Sequence, residues 1–218
     1  ATHRIMPDRN EEVTAAAAAY VSHGSITVHN SRRDTIGEFL KYCKLANGGI
    51  EEIDDSTTRY FYAGEMKATD VTTQIHPGFM TDWQAPWAVC MTQASGISTI
   101  FETVFENRFS YVGELVKMGA DIEFYDPKVP NPAEFYNFDY TDGMSVSAQA
   151  VRIKGPVSLH NAIMTMGDLR AGATLLIAAM AAEGESVISG VEQIDRGYEH
   201  IEDRLNALGA KITRISQC

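Results

Sequence analysis

The chain has 218 residues, 44% of them hydrophobic and 22% charged, enough for one large domain with a sizeable core and outside the compositional range of disorder. A formal net charge of -11 excludes the positive footprint that nucleic-acid binding needs, so no nucleic-acid partner is expected. No apolar run approaches the roughly 18 residues of a membrane span, and Cys43, Cys90 and Cys218 show neither metal-ligand spacing nor the even count of a disulfide framework, so a reducing, cytoplasmic setting is expected.

In chain order, one pattern recurs three times. His3 to Pro7 reads as a strand, and Asp8 to Ser22 as an Ala-rich helix. Gly24 leads into the β-branched run Ser25-Ile26-Thr27-Val28. A second helix fits Thr35 to Ala46 and stops at Asn47, with strands at Ile50 and from Arg59 to Tyr62. The second copy reads as a strand over Thr69 to Gln74, a helix over Asp82 to Ser95, then Gly96 and the strand Ile97 to Ile100. A helix over Phe109 to Met118 ends at Gly119, before strands at Ile122 and from Ala150 to Lys154. The third copy places a strand over Ser158 to Thr165, a helix over Asp168 to Glu183, then Gly184 and a run to Ile188. Its second helix, Tyr198 to Leu208, ends at Gly209, before a strand at Ile212. Only Ser216-Gln217-Cys218 follow Ile215, so this copy is one strand short.

The opening aspartates suit the N-cap, and Pro86 falls in the first turn, where proline costs least. Glycine or asparagine at a helix end suits the left-handed conformation found there. The expected fold is α/β (α+β in some schemes), a single domain over 1–218 with units at about 1–64, 65–155 and 156–218. Residues 126–149 break the pattern with three prolines and several aromatics, and read as an ordered insertion.

Arginines recur where helices begin. Arg32, Arg108 and Arg196 precede the second helices, and Arg9 and Arg170 sit in first turns. The macrodipole disfavours a cation there by roughly 0.3–1 kcal/mol, so the repetition points to a compensating anion on one rim. The plainer alternative pairs each arginine with its neighbour, Asp8, Asp195 or Glu106. Asp82 has two jobs open to it, N-cap or general base, and local chemistry favours the cap. Glu106 and Asn107 either bind a ligand or cap the next helix. The six histidines do not cluster, Trp83 and Trp87 read as packing, and no glycine-rich phosphate loop follows a strand. No metal and no cofactor is expected.

Four motifs resemble, in order, those of the enolpyruvyl transferase family, in the form carried by its UDP-N-acetylglucosamine-specific members. They are Thr81-Asp82-Trp83-Gln84-Ala85, Phe105-Glu106-Asn107-Arg108-Phe109, Asp168-Leu169-Arg170-Ala171-Gly172 and Asp195-Arg196-Gly197-Tyr198-Glu199. Asp8-Arg9-Asn10-Glu11 looks like the start of the family's domain after its interdomain crossover, and the resemblance covers nearly everything but the insertion. It implies a domain of three βαβαββ units forming one wall of a cleft. Such an enzyme moves the enolpyruvyl group of phosphoenolpyruvate to the 3-hydroxyl of UDP-N-acetylglucosamine, in peptidoglycan precursor synthesis.

By the resemblance Asp82 becomes the base that contacts the sugar hydroxyl, reversing the preference for a cap. Val104 meets the nucleotide sugar through its backbone. Arg108 and Arg196 face phosphoenolpyruvate, with Arg196 counted as catalytic beside Asp82, and Asp168 and Arg170 lie at the domain interface. The family's lysine-asparagine pair and loop cysteine have no counterpart in these residues, so the partner implied is a missing amino-terminal half, and the isolated chain is expected to be inactive. The rivals are a 5-enolpyruvylshikimate-3-phosphate synthase-like enzyme and a non-catalytic ligand-binding single domain.

Overall fold

The computed structural model describes residues 2–3, 5–140 and 149–215, apart from the side chain of Arg170. The first third of the chain forms α1 (Arg9–Val21), β1 (Ser25–His29), α2 (Gly37–Leu45), β2 (Gly48–Asp54) and β3 (Thr57–Tyr62). Next come β4 (Val71–Thr72), α3 (Gln84–Thr92), β5 (Gly96–Phe101), α4 (Val112–Lys117), β6 (Asp121–Phe124), the short α5 (Pro132–Phe135) and β7 (Ala150–Gly155). The last part holds β8 (Ile163–Thr165), α6 (Leu169–Ala181), β9 (Val187–Ser189) and α7 (Ile201–Ala207). Among the described residues the strands form three sheets, in the orders β1-β3-β2, β4-β5-β7-β6 and β8-β9. The β4–β5 and β8–β9 pairs are parallel and the others antiparallel.

The first helices are the centre of the molecule. All nine residues of α3 are buried, as is α1 from Ala16 to Val21, and α6 buries Ala171, Ala173, Leu175, Ile177 and Ala178. A helix apolar on nearly every side has to lie inside. The small alanines let α1, α3 and α6 pack against one another in all three pairings. The second helices lean on this trio in rotation. Phe39 of α2 meets Trp83 and Trp87, each at 5.9 Å between ring centroids, and α4 packs on α6. Arg204 of α7 reaches Glu11 of α1 at 2.8 Å.

The helix boundaries follow from local chemistry. Asp8 caps α1, its carboxylate accepting from the Asn10 N–H at 2.8 Å, and the Asp168 carboxylate accepts from the Ala171 N–H at 2.9 Å at the start of α6. Asn47, Gly119 and Gly209, after the second helices, all have left-handed backbones, as do Gly96 and Gly184. After α1, however, the left-handed residue is His23 (φ 53°) rather than Gly24, with its ring stacked 4.0 Å from that of Tyr62.

The strands depart further from expectation. Residues 3 and 5–7 form no strand. Among the described residues no strand pairs with their backbone groups, and Ile5 and Met6 are 85% and 59% exposed. The expected strands at Thr69 to Gln74 and Ser158 to Thr165 shrink to two and three residues. No strand forms at Ile212, since the Asn206 side chain takes both its N–H and its carbonyl at 2.8 Å each, as a partner strand would. The described part of the third segment is thus a two-stranded sheet, shorter than the sequence pattern implies. Of the expected insertion at 126–149, residues 141–148 lie outside the described residues, and 126–140 pack against β5: Phe135 stacks 5.4 Å from Phe101, Tyr136 is buried, and the Asn137 N–H donates to the Thr103 carbonyl at 2.8 Å.

Candidate active site

The amino-terminal ends of α1, α3 and α6 are stitched together at one end of the core. Trp83 Nε1 donates to Asn10 Oδ1 at 3.0 Å, joining α3 to α1. Ser110 Oγ donates to Asp168 Oδ2 at 2.8 Å, joining the segment before α4 to α6. Thr14 and Tyr198 share a buried hydroxyl–hydroxyl bond of 2.8 Å, joining α1 to the segment before α7. Helix amino termini carry partial positive charge and unpaired N–H groups, so an end built from three of them suits an anionic ligand.

Asp82 lies in a 3-10 turn (Thr81–Trp83) just ahead of α3, not at its N-cap, which is Trp83. Its Oδ1 meets Arg108 Nη2 at 2.8 Å, with the two side chains 25% and 32% exposed, so both are fixed yet reachable. Arg108 Nε donates to Thr81 Oγ1 at 3.3 Å, and its guanidinium lies 5.3 Å from the centre of the Phe105 ring. The loop from β5 to Arg108 is itself anchored. The N–H groups of Val104 and Phe105 donate to Glu102 Oε1 at 2.7 and 3.1 Å, and Asn107 is left-handed at φ 55°.

Arg196 ends a 3-10 turn (Val191–Arg196) pressed against the first turns of α6. A side chain on Gly197 would meet Leu169 Cδ2 at 2.8 Å, and one on Gly172 would meet Met166 Sδ at 2.8 Å and Ile194 Cγ1 at 3.0 Å. Glycine at these two positions is what brings Arg196 close to the start of α6. Arg196 is exposed and donates to Gln193 Oε1 at 3.2 Å; among the described residues no carboxylate pairs with it. Its neighbour Asp195 belongs to Arg214 (2.6 and 3.0 Å), which holds that carboxyl below the usual carboxylate range.

The site is therefore not a set of neighbour pairings. Arg108 pairs with Asp82 rather than Glu106, and Arg9 reaches His76 Nδ1 at 3.3 Å rather than Asp8. Arg32 does the conventional thing, binding Asp34 at 2.8 Å, and it lines a pocket with Asp8, Arg9 and Asn10 at the start of α1. Asp82, Val104 and Arg108 form one group, with Asp168 joined to it through Ser110. The backbone of Arg170 lies in the first turn of α6, while its side chain lies outside the described residues. Cys43 and Cys90 are fully buried, and burial pushes the Cys43 thiol up to about 12, so neither acts as a nucleophile.

Thr81, Ser110 and above all Glu102 carry no sequence signal of a place in the site; Glu102 is fully buried and accepts from Thr81 Oγ1 at 2.7 Å and Gln84 Nε2 at 2.6 Å besides the two amides. The β-branched run before it promises only a strand. Nothing in the local pattern marks a glutamate at a strand end as buried.

Comparisons with known proteins bear on the fold and the family. The family described as EPSP synthase (3-phosphoshikimate 1-carboxyvinyltransferase) matches residues 1–205. Proteins named UDP-N-acetylglucosamine 1-carboxyvinyltransferase from Magnetococcus marinus and Koribacter versatilis are 39% and 37% identical over 99% and 100% of the chain, which spans 46% and 45% of their length. Among solved structures, the enolpyruvyl transferase NikO from Streptomyces tendae superposes with a TM-score of 0.78 at 21% identity, covering 95% of this chain and 44% of that one. EPSP synthase from Acinetobacter baumannii superposes at 0.63 with 13% identity, covering 98% of this chain and 44% of that one. The chain thus spans about half the length of the relatives it matches, and it belongs to the EPSP synthase family of enolpyruvyl transferases.

Proposed function

We propose that this chain forms one wall of an enolpyruvyl transferase active site, working with a second half that supplies the opposite wall. The group transferred is the enolpyruvyl moiety of phosphoenolpyruvate, the acceptor is the 3-hydroxyl of UDP-N-acetylglucosamine, and phosphate leaves. The carrying observation is the Asp82–Arg108 pair at 2.8 Å at the end of the core where three helices begin, with Asp168 tied in through Ser110. An incoming phosphate or carboxylate competes for the Arg108 guanidinium, and an incoming hydroxyl for the Asp82 carboxylate, so one pair serves donor and acceptor together. Asp82 accepts the hydroxyl proton as general base. Arg196, without a carboxylate partner among the described residues, meets the charge of phosphoenolpyruvate, and Asp168 and Arg170 serve where the two halves meet. Val104 contacts the nucleotide sugar through its carbonyl, since its N–H already donates to Glu102.

The choice of nucleotide sugar over a phosphorylated shikimate rests on the relatives, 37–39% identical under the former name, against 13–15% for the solved EPSP synthases. The test is Asp82→Asn in the natural full-length protein. General-base loss lowers kcat by roughly 10²–10⁴-fold, while the Kd for UDP-N-acetylglucosamine changes by less than about tenfold, one hydrogen bond's worth. Equal losses in both, or none, return Asp82 to a structural role. Turnover with phosphorylated shikimate in place of the nucleotide sugar would give the substrate choice to the rival.

A further inference from the structure

Glu102 sits fully buried where β5 ends, and among the described residues no lysine, arginine or histidine lies within ion-pair distance of it. A carboxylate in such a place persists only when its oxygens are filled with hydrogen bonds. Here each oxygen takes two. Oε1 accepts the backbone N–H groups of Val104 and Phe105, and Oε2 accepts the Thr81 hydroxyl and the Gln84 amide. The directions are unambiguous. Tyr111 donates its hydroxyl to Gln84 Oε1 at 3.2 Å, which turns the Gln84 nitrogen toward Glu102. Thr81 gives its single proton to Glu102, so only its lone pairs remain for Arg108 Nε.

Two stretches that reach the site from different elements therefore meet on one carboxylate. One is the turn carrying Asp82, and the other is the loop carrying Val104 and Arg108. We propose that Glu102 is the positioning residue of this site, locking the Thr81–Asp82 turn to the Val104–Phe105 backbone so that Asp82 and Arg108 are held in one geometry. The proposal rests on the reading that Asp82 and Arg108 act on substrate, and it adds the device that aligns them. An amide at 102 fails in this role. It offers one acceptor oxygen, and whichever pair of donors faces its NH₂ group is opposed instead of bound. Thr81 is the relay, because its oxygen is shared by Glu102 and Arg108.

The test compares Glu102→Gln, Thr81→Val and Thr81→Ser in the natural full-length protein. Thr81→Val keeps the side-chain volume and leaves Glu102 three donors, so it addresses the link even if Glu102→Gln does not fold. The readouts are the NMR signal and exchange rate of Arg108 Nε–H, the melting temperature, and kcat beside the KM for the nucleotide sugar. Thr81→Val is expected to speed Arg108 Nε–H exchange and lower kcat by roughly ten- to a hundredfold, the cost of a small misplacement, while KM stays within about threefold. Thr81→Ser, which restores the hydroxyl, is expected to recover both. An unchanged Arg108 signal, a lower melting temperature with wild-type kcat, or a serine variant no better than valine overturns the proposal. Loss of the Arg108 signal in a protein whose wild type transfers no enolpyruvyl group supports the anchoring and defeats the functional reading instead.

Discussion

At the scale of single residues, what matters at Arg196 is which carboxylate does not reach it. Asp195 is adjacent in sequence, yet it binds Arg214 at 2.6 Å, and Arg214 also holds Glu202 at 2.9 Å. That pairing keeps Asp195 off the cation beside it, and it gives the chain an acid-sensitive contact. The Asp195 carboxyl is lowered by Arg214, so the stability it contributes is fully present above the unfolded-state value, about 3.9, and is lost as pH falls through the lowered native one. Both side chains are more than a third exposed, so solvent screening limits the contribution to under about 1 kcal/mol. Arg214→Gln is expected to lose that increment at pH 7 and to converge with the wild type in strong acid, measured by urea denaturation across pH. A difference that grows on acidification defeats the assignment. These pairings were not legible in the sequence. Asp82 and Arg108 are 26 positions apart and were connected only by family resemblance, and Glu102 carried no signal at all, because burial of a charge depends on donors arriving from elsewhere in the chain.

Among the elements, helices and strands differed in how much of them the sequence carried. Each first helix states its own beginning through an aspartate at or just ahead of it and its own interior through a run of small apolar residues, so α1, α3 and α6 fall where expected. Strands depend on a partner. Residues 3 and 5–7 have no strand partner among the described residues, and Ile212 has its neighbour's place taken by Asn206. Between elements, the most informative contact is that of α2 with α3. Phe39 is fully buried, edge-on to Trp83 and Trp87 and 6.4 Å from Phe79, so one ring couples a second helix to the core helix of the next segment. Phe39→Ala is expected to destabilise the fold by about 3–5 kcal/mol, from lost burial plus the cavity. Because Trp83 follows Asp82 directly, the same variant is expected to disturb the Asp82 turn. A loss below about 1 kcal/mol in urea denaturation, typical of a surface site, would show that α2 is dispensable to the core.

For the whole molecule, the proposed function raises the question of how a chain of net charge -11 would meet two anionic substrates. The bulk field opposes them, so the attraction is local: Arg108 and Arg196 on an end made of helix amino termini, in a molecule that is otherwise acid-rich. In the proposed reading that end is a wall, not an enclosure. Along a wall each guanidinium–anion contact stays in water and contributes about 1 kcal/mol or less. Two or three such contacts fall short of the roughly 4 kcal/mol that corresponds to a 1 mM Kd. A second wall excludes water and lowers the local dielectric, which strengthens the same contacts several-fold. The isolated 218-residue chain is therefore expected to bind UDP-N-acetylglucosamine and phosphoenolpyruvate no more tightly than about 1 mM and to release no phosphate from phosphoenolpyruvate. Calorimetric titration and a phosphate-release assay on the folded chain, checked by circular dichroism, decide the matter. Micromolar binding or measurable turnover by this chain alone would mean that its three helix ends enclose a complete site, and the two-walled reading would fail.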